Sequence, residues 1–152
     1  VFIINDYPAI AARVDATGVH LGLTDGSVVE ARKILRSYQW IGGTANTWQE
    51  VMQRIQEQVT YIGLGPLRFT TTKEKLSPVL GIEGYQNILS QLKGNTIPIY
   101  AIGGVRASDI VPLMQAGVYG VAISSAIHQS TNKKRCIQQL NQLLYGSPEH
   151  CG

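Results

Sequence analysis

A parallel α/β fold is what this chain predicts, on two observations. Six short apolar segments alternate with helical patterns at spacings of about 20–35 residues. Polar residues or glycines follow directly after each segment: Asn5 and Asp6, Asp25, Thr44, Thr70 to Lys73, Gly104, and Ser124 with Ser125. Two closures fit that order, a doubly wound open sheet and a (β/α)8 barrel, both with right-handed crossovers. An open sheet uses only its switch point for chemistry, whereas a barrel gathers every exit loop on one face. Candidate chemistry after all six strands favours the barrel, with six units present where a barrel has eight.

The first strand is Phe2-Ile3-Ile4, ending at Asn5 and Asp6, and Pro8 opens a short helix to Arg13. Residues 18–22 form the second strand, with Asp25 on its exit loop. Ser27 and Glu30 have capping-box spacing and start a helix reaching about Arg36. Trp40-Ile41-Gly42-Gly43 is the third strand, with Thr44 just past its end. Thr47 and Glu50 repeat the capping-box spacing, and Val51, Ile55 and Val59 recur behind them at four-residue intervals. Strand four starts at Tyr61 as an apolar run with glycines, and Pro66 ends it because proline cannot donate to a ladder.

A helix is predicted over 81–93, with Ile88, Leu89 and Leu92 on one stripe and Gly94 as its stop. Residues 97–102 are strand five, closing on Gly103 and Gly104. Ser108 is expected to cap a helix that tolerates Pro112 near its first turn and stops at Gly117. Strand six covers 118–123, and the last helix about 133–144.

With 152 residues, 44% hydrophobic and 15% charged, the chain has the apolar material for a sizeable core. A single domain over 1–152 is expected, with a flexible tail over 146–152. No apolar run approaches the ~18–20 residues of a membrane helix. The net charge of +3 is mild. Lys133, Lys134 and Arg135 open a helix among polar residues and read as a solvated face, not a nucleic-acid contact. Cys136 and Cys151 make neither a disulfide framework nor a metal motif, which points to reduced thiols and a cytoplasmic setting. The chain opens without methionine inside the apolar run Val1-Phe2-Ile3-Ile4. The expectation is that a preceding part of the protein exists; if the chain were complete, it would be expected to be inactive.

Thr70, Thr71, Thr72 and Lys73 set three hydroxyls beside a cation at a strand exit, a pattern that suits an anionic ligand. Lys73 has a plainer reading as a solvated loop lysine, since Glu74 and Lys75 follow it. Gly103-Gly104 and Ser124-Ser125 follow the last two strands, at the corner where barrels bind phosphate. Glycines there let backbone N–H groups approach phosphate oxygens, and serines add hydroxyl donors. Alone, the glycine pair is only a tight turn; the two loops together point to phosphate. Asp6 and Asp25 end successive strands, and two carboxylates beside an anion site suit Mg²⁺. Asp25 has a plainer role too, starting the turn before Ser27. His20, inside a strand, reads as packed, as do Trp40, Trp48 and Tyr100.

In several stretches the chain resembles the thiamine-phosphate synthase family. These are Ile3-Ile4-Asn5-Asp6, Gly18-Val19-His20-Leu21-Gly22 with Asp25, and Gly63-Leu64-Gly65-Pro66 before Thr70 to Lys73. Ala101-Ile102-Gly103-Gly104 and residues 120–126 complete the set, in family order and spacing over nearly the whole chain. The resemblance implies a (β/α)8 TIM barrel in which this chain supplies strands three to eight, the first two β/α units being absent. It implies a Mg²⁺-dependent transferase that joins hydroxymethylpyrimidine diphosphate to hydroxyethylthiazole phosphate, giving thiamine phosphate and pyrophosphate. Asp6 and Asp25 would then hold the metal. Asn5, Thr44 and Lys73 would act on the pyrimidine diphosphate. Thr70, Thr71 and Thr72 would take the thiazole phosphate, with Gly104, Ser124 and Ser125 completing its pocket.

The partners implied are small molecules, neither nucleic acid nor membrane, with self-association left open. The family's first two strands, which carry basic and glutamine residues for the diphosphate, have no counterpart here. Two alternatives stand beside this reading. The related thiazole tautomerases share the fold, but they carry a catalytic histidine where this chain has Asn46 and lack a clean Thr-Thr-Thr-Lys run. A non-catalytic phosphate binder would have no use for Asp6, Asp25 and Lys73 together.

Overall fold

The computed structural model describes residues 1–69, 78–92 and 94–146. The strands are β1 (Ile3–Asn5), β2 (Gly18–Leu21), β3 (Trp40–Ala45), β4 (Tyr61–Leu64), β5 (Ile99–Ala101) and β6 (Gly120–Val121). Between and after them lie α1 (Pro8–Arg13), α2 (Val28–Ile34), α3 (Trp48–Gln56), α4 (Gly81–Gln91), α5 (Ile110–Ala116), α6 (Ser125–His128) and α7 (Lys133–Tyr145). The sheet order is β1-β2-β3-β4-β5-β6, and the pairs β1–β2, β2–β3, β3–β4 and β5–β6 are parallel. The expected α/β class and its sequential parallel sheet are therefore present. No helix among the described residues is long and apolar enough to cross a membrane.

The chain divides into two compact units, Val1–Gly65 with Gly94–Ile99, and Pro66–Lys93 with Tyr100–Gly152. In the first, β2, β3 and β4 are buried along almost their whole length, as parallel strands covered on both faces must be. Val19, Leu21, Ile41, Ala45, Ile62 and Leu64 fill this core with Ala11 of α1, Val28 of α2 and Val51 of α3. Gln39 is buried too, and its amide donates to the carbonyls of Ala11 (3.1 Å) and Ala16 (2.7 Å), tying the end of α1 to the approach to β3. In the second unit, Leu67, Tyr85, Ile88, Val105, Ile110, Leu113 and Leu140 form the core around α4, α5 and α7.

The two capping-box expectations have opposite outcomes. Thr47 Oγ1 accepts from Glu50 N at 3.2 Å while Glu50 Oε2 accepts from Thr47 N at 3.0 Å, the complete box. Thr47→Ala is expected to destabilise the protein by about 1 kcal/mol, read as a shift in the urea unfolding midpoint. At α2 only Ser27 caps, accepting from Val29 N at 3.1 Å. Glu30 turns instead to Lys33 one turn on, at 2.7 Å, because an exposed cation competes with the helix start for its carboxylate.

Three further expectations are corrected. Ser108 does not cap α5; it lies inside a 3₁₀ turn, Ala107–Asp109, and Asp109 reaches back to Arg106 N at 2.8 Å. Strand six is only Gly120–Val121, since Ser125 already begins α6. Trp40 is 40% exposed rather than packed. The helix after strand five does stop at Gly117, whose φ of 100° is the left-handed conformation glycine takes at a helix end. Lys133, Lys134 and Arg135 are exposed at the start of α7, behind Asn132, which caps Arg135 N at 3.0 Å.

Candidate active site

Glycine pairs decide what can stand at the strand ends. In β3, Gly42 is in register with His20 on one side and Tyr61 on the other, so these residues share a row on one face of the sheet. A Cβ on Gly42 would lie 2.6 Å from His20 Nδ1 and closer still to the Tyr61 ring. Its absence lets the two rings stack across β3, centroids 5.5 Å apart and planes 26° from parallel. His20 Nδ1 meets Tyr61 Oη at 3.1 Å, and His20 Nε2 meets Thr44 Oγ1 at 3.0 Å. Asn5 joins the same row through its register with His20. His20, which the sequence reads as packed, thus holds one of the candidate substrate contacts. Thr44 itself lies inside β3, buried to 2% exposure, not past the strand end as expected.

Gly43 serves the opposite face. A Cβ there would meet Arg54 Cδ at 2.7 Å. Arg54, at 4% exposure, donates Nε to Thr44 O (3.0 Å), Nη2 to Gly22 O (3.1 Å) and Nη1 to Glu57 Oε2 (2.8 Å). One buried guanidinium therefore ties the ends of β2 and β3 together behind the sheet face that carries Asn5, His20 and Thr44. The sequence signal for it is the glycine pair Gly42-Gly43, which on sequence alone reads as the end of a strand.

The two aspartates are held by different means. Asp6 has a φ of 69°, a conformation uncommon for a residue with a side chain, at a strain of about 1–3 kcal/mol. Its N–H donates to His20 O at 2.9 Å, and Tyr7 N returns to Asn5 O at 2.9 Å, a tight turn centred on Asp6. Asp25 Oδ2 accepts from Gly22 N at 2.8 Å, so the turn role foreseen for it is real. Coordination of a cation through Oδ1 is compatible with that bond. Among the described residues no group of three or more His, Cys, Asp or Glu side chains could hold a metal. Two carboxylates fit Mg²⁺, which keeps several waters and takes its other ligands from substrate phosphates.

Asn46, where a tautomerase would carry its histidine, is buried and donates its amide to Gly65 O.

In the second unit, Gly103 and Gly104 have φ of 79° and 74°. Glycine is required at both: a Cβ on Gly103 would lie 2.7 Å from Pro66 Cβ, and one on Gly104 3.0 Å from Arg68 Cβ. Tyr85 Oη donates to Ile102 O just before this turn, at 3.5 Å. Arg68 and Asp109 form a bidentate ion pair, Nη1 to Oδ2 and Nη2 to Oδ1, the latter 2.6 Å. Arg68 holds the Asp109 carboxyl below the usual carboxylate range, outweighing the burial that would raise it. Neither partner was singled out in the sequence. Ser124 and Ser125 are exposed at the start of α6. Thr70, Thr71, Thr72 and Lys73 lie outside the described residues.

The thiamine monophosphate synthase family profile matches residues 1–127. The thiamine-phosphate synthase of Flavobacterium psychrophilum is 54% identical over 145 residues, 94% of this chain and 70% of that protein. That of Flavobacterium johnsoniae is 52% identical over 148 residues, 96% of this chain and again 70% of the relative. Among solved structures, thiamine phosphate pyrophosphorylase from Pyrococcus furiosus superposes with a TM-score of 0.83 at 27% identity, covering 95% of this chain and 67% of that one. By profile, by sequence identity and by fold, the chain belongs to the thiamine monophosphate synthase family.

Proposed function

We propose that this protein joins hydroxymethylpyrimidine diphosphate to hydroxyethylthiazole phosphate, on a (β/α)8 barrel of which β1 to β6 are strands three to eight. The observation that carries the reading is the aspartate pair after two adjacent parallel strands. Asp6 is held in a strained turn and Asp25 on the Gly22 N–H, in a chain of this family. In the reaction, the C–O bond between the pyrimidine methylene and the diphosphate breaks, and its electron pair leaves with pyrophosphate. The thiazole nitrogen supplies its lone pair to the methylene carbon, forming the C–N bond and a thiazolium. No proton is transferred in that exchange, so a strong general base is not needed.

Asp6 and Asp25 are the residues that would hold Mg²⁺, which when bound supplies positive charge to the diphosphate oxygens. Asn5 and Thr44, on the sheet face that carries His20, orient the pyrimidine half. Lys73 meets the charge that develops on the departing oxygens. Thr70, Thr71 and Thr72, with Gly104, Ser124 and Ser125, take the thiazole phosphate. Asn46 carries no basic group of the kind a tautomerase histidine supplies, and its side-chain N–H donates to Gly65 O.

The test is direct. Both substrates incubated with the intact protein and Mg²⁺ should yield thiamine phosphate and pyrophosphate in equal amounts; no thiamine phosphate would end this reading. Lys73→Ala is expected to lower kcat/KM for the pyrimidine diphosphate by about 10²-fold with little change in KM for the thiazole phosphate. Unchanged kinetics toward the diphosphate would remove Lys73 from the site.

A further inference from the structure

The glycine turn after β5 is oriented by a neighbour that the reaction itself does not call for. Leu67 N donates to both Ile102 O (3.0 Å) and Gly103 O (2.9 Å), and Arg68 N donates to Gly103 O at 3.2 Å. The Arg68 side chain then continues the contact, Nη1 donating to Gly104 O at 3.3 Å. Two successive carbonyls, Gly103 and Gly104, therefore face the Leu67-Arg68 segment. In a trans peptide the N–H points opposite to the C=O of the same unit. Fixing those carbonyls on one side turns Gly104 N–H and Val105 N–H to the other. Among the described residues neither N–H has an acceptor. Two adjacent amide donors on one side of a turn with positive φ make a concavity suited to an anion.

What keeps Arg68 in place is Asp109. Its carboxylate is 6% exposed, against 41% for the Arg68 side chain, and grips the guanidinium through both oxygens. The same Oδ2 accepts from Arg106 N, so Asp109 is itself fixed to the start of the 3₁₀ turn leading into α5. A single-point contact would leave the guanidinium free to pivot; the planar fork on a carboxylate does not.

We propose that Arg68 and Asp109 are positioning residues for the phosphate of the thiazole substrate, acting by aiming the Gly104 and Val105 N–H groups at it. This rests on the assignment of Gly104 to that phosphate under the proposed function. The pair itself does not touch the substrate. Its loss loosens the direction of two donors and weakens the thiazole phosphate selectively, while the pyrimidine diphosphate is held by other residues.

The measurement is titration calorimetry of the intact protein with hydroxyethylthiazole phosphate, for the unmodified chain, Asp109→Asn, Arg68→Met and the double variant. Asp109→Asn keeps an oxygen for Arg106 N and so preserves the turn. Each single variant is expected to raise Kd about 10-fold, the double variant no further because both act through one contact, and Arg68→Lys to give an intermediate value. Steady-state kinetics should show the same rise in KM for the thiazole phosphate, with kcat and the KM for the diphosphate within about twofold. Unchanged Kd in both single variants, or equal losses for both substrates, overturns the proposal. So does failure of the unmodified protein to bind the thiazole phosphate. Binding without condensation in the unmodified protein would refute the transferase reading alone, and a weaker Kd in the variants would still support the pair.

Discussion

Asp25→Asn in the intact protein is expected to lower kcat/KM for the condensation by about 10²–10³-fold, leaving the affinity for thiazole phosphate nearly unchanged. The substitution is chosen for what it keeps. Asparagine retains a carbonyl oxygen where Asp25 Oδ2 accepts from Gly22 N at 2.8 Å, so the turn after β2 survives. What it loses is the negative charge and the second oxygen that would face a hard cation. Asp25→Ala removes turn and charge together and should abolish turnover. Comparison of the two separates a carboxylate that binds metal from one that only shapes a loop. An Asn variant as active as the unmodified protein in saturating Mg²⁺ would leave Asp25 with the turn alone.

Arg54→Met is expected to be the most damaging change away from the strand-end row, destabilising the protein by about 3 kcal/mol. The guanidinium is buried, and its removal leaves the carbonyls of Thr44 and Gly22 without that donor and Glu57 without its cation. Glu57 is partly exposed and recovers some solvation, so the larger share comes from the two carbonyls. Arg54→Lys keeps a charge but cannot span three acceptors with a fixed fork, and should recover less than half of the loss. Urea unfolding of both variants is the measurement. A Met variant within about 1 kcal/mol of the parent would mean the strand ends hold without the clamp.

The sheet was legible in the sequence because parallel strands buried on both faces are written as short apolar runs, and Val19, Ile41 and Ile62 sit where those runs placed them. The strand ends were less so. The apolar run Trp40-Ile41-Gly42-Gly43 places the end of β3 at Gly43, yet the strand continues to Ala45. Those glycines are gaps for side chains from other elements, Tyr61 on one face and Arg54 on the other, and such vacancies cannot be assigned before the neighbours are known. Arg68 and Asp109 were invisible for the same reason, being 41 positions apart. Asp109 carries a local sign, an acidic residue three positions after Arg106, but Ser108 is the more usual cap type at a helix start. Asn5, Asp6 and Asp25 stand out in the sequence because polar residues closing an apolar strand contrast with it. A metal role for Asp6 and Asp25 is suggested by two carboxylates beside an anion site, while the part proposed for Asn5 follows from the family likeness, since spacing alone does not tell a ligand from a turn residue.

The imidazole bridging two hydroxyls in this site carries a directional consequence. His20 has hydroxyl partners at both ring nitrogens, Tyr61 at Nδ1 and Thr44 at Nε2. In the neutral ring one nitrogen donates and the other accepts. With the proton on Nε2, Thr44 Oγ1 accepts from the ring and keeps its own hydrogen to give. With the proton on Nδ1, Thr44 donates to the ring and has only lone pairs left. The position of one hydrogen thus sets the polarity of Thr44, and a bound group of fixed polarity selects the tautomer in turn. Nitrogen-15 shifts of His20, compared with and without the pyrimidine substrate, would read that selection directly.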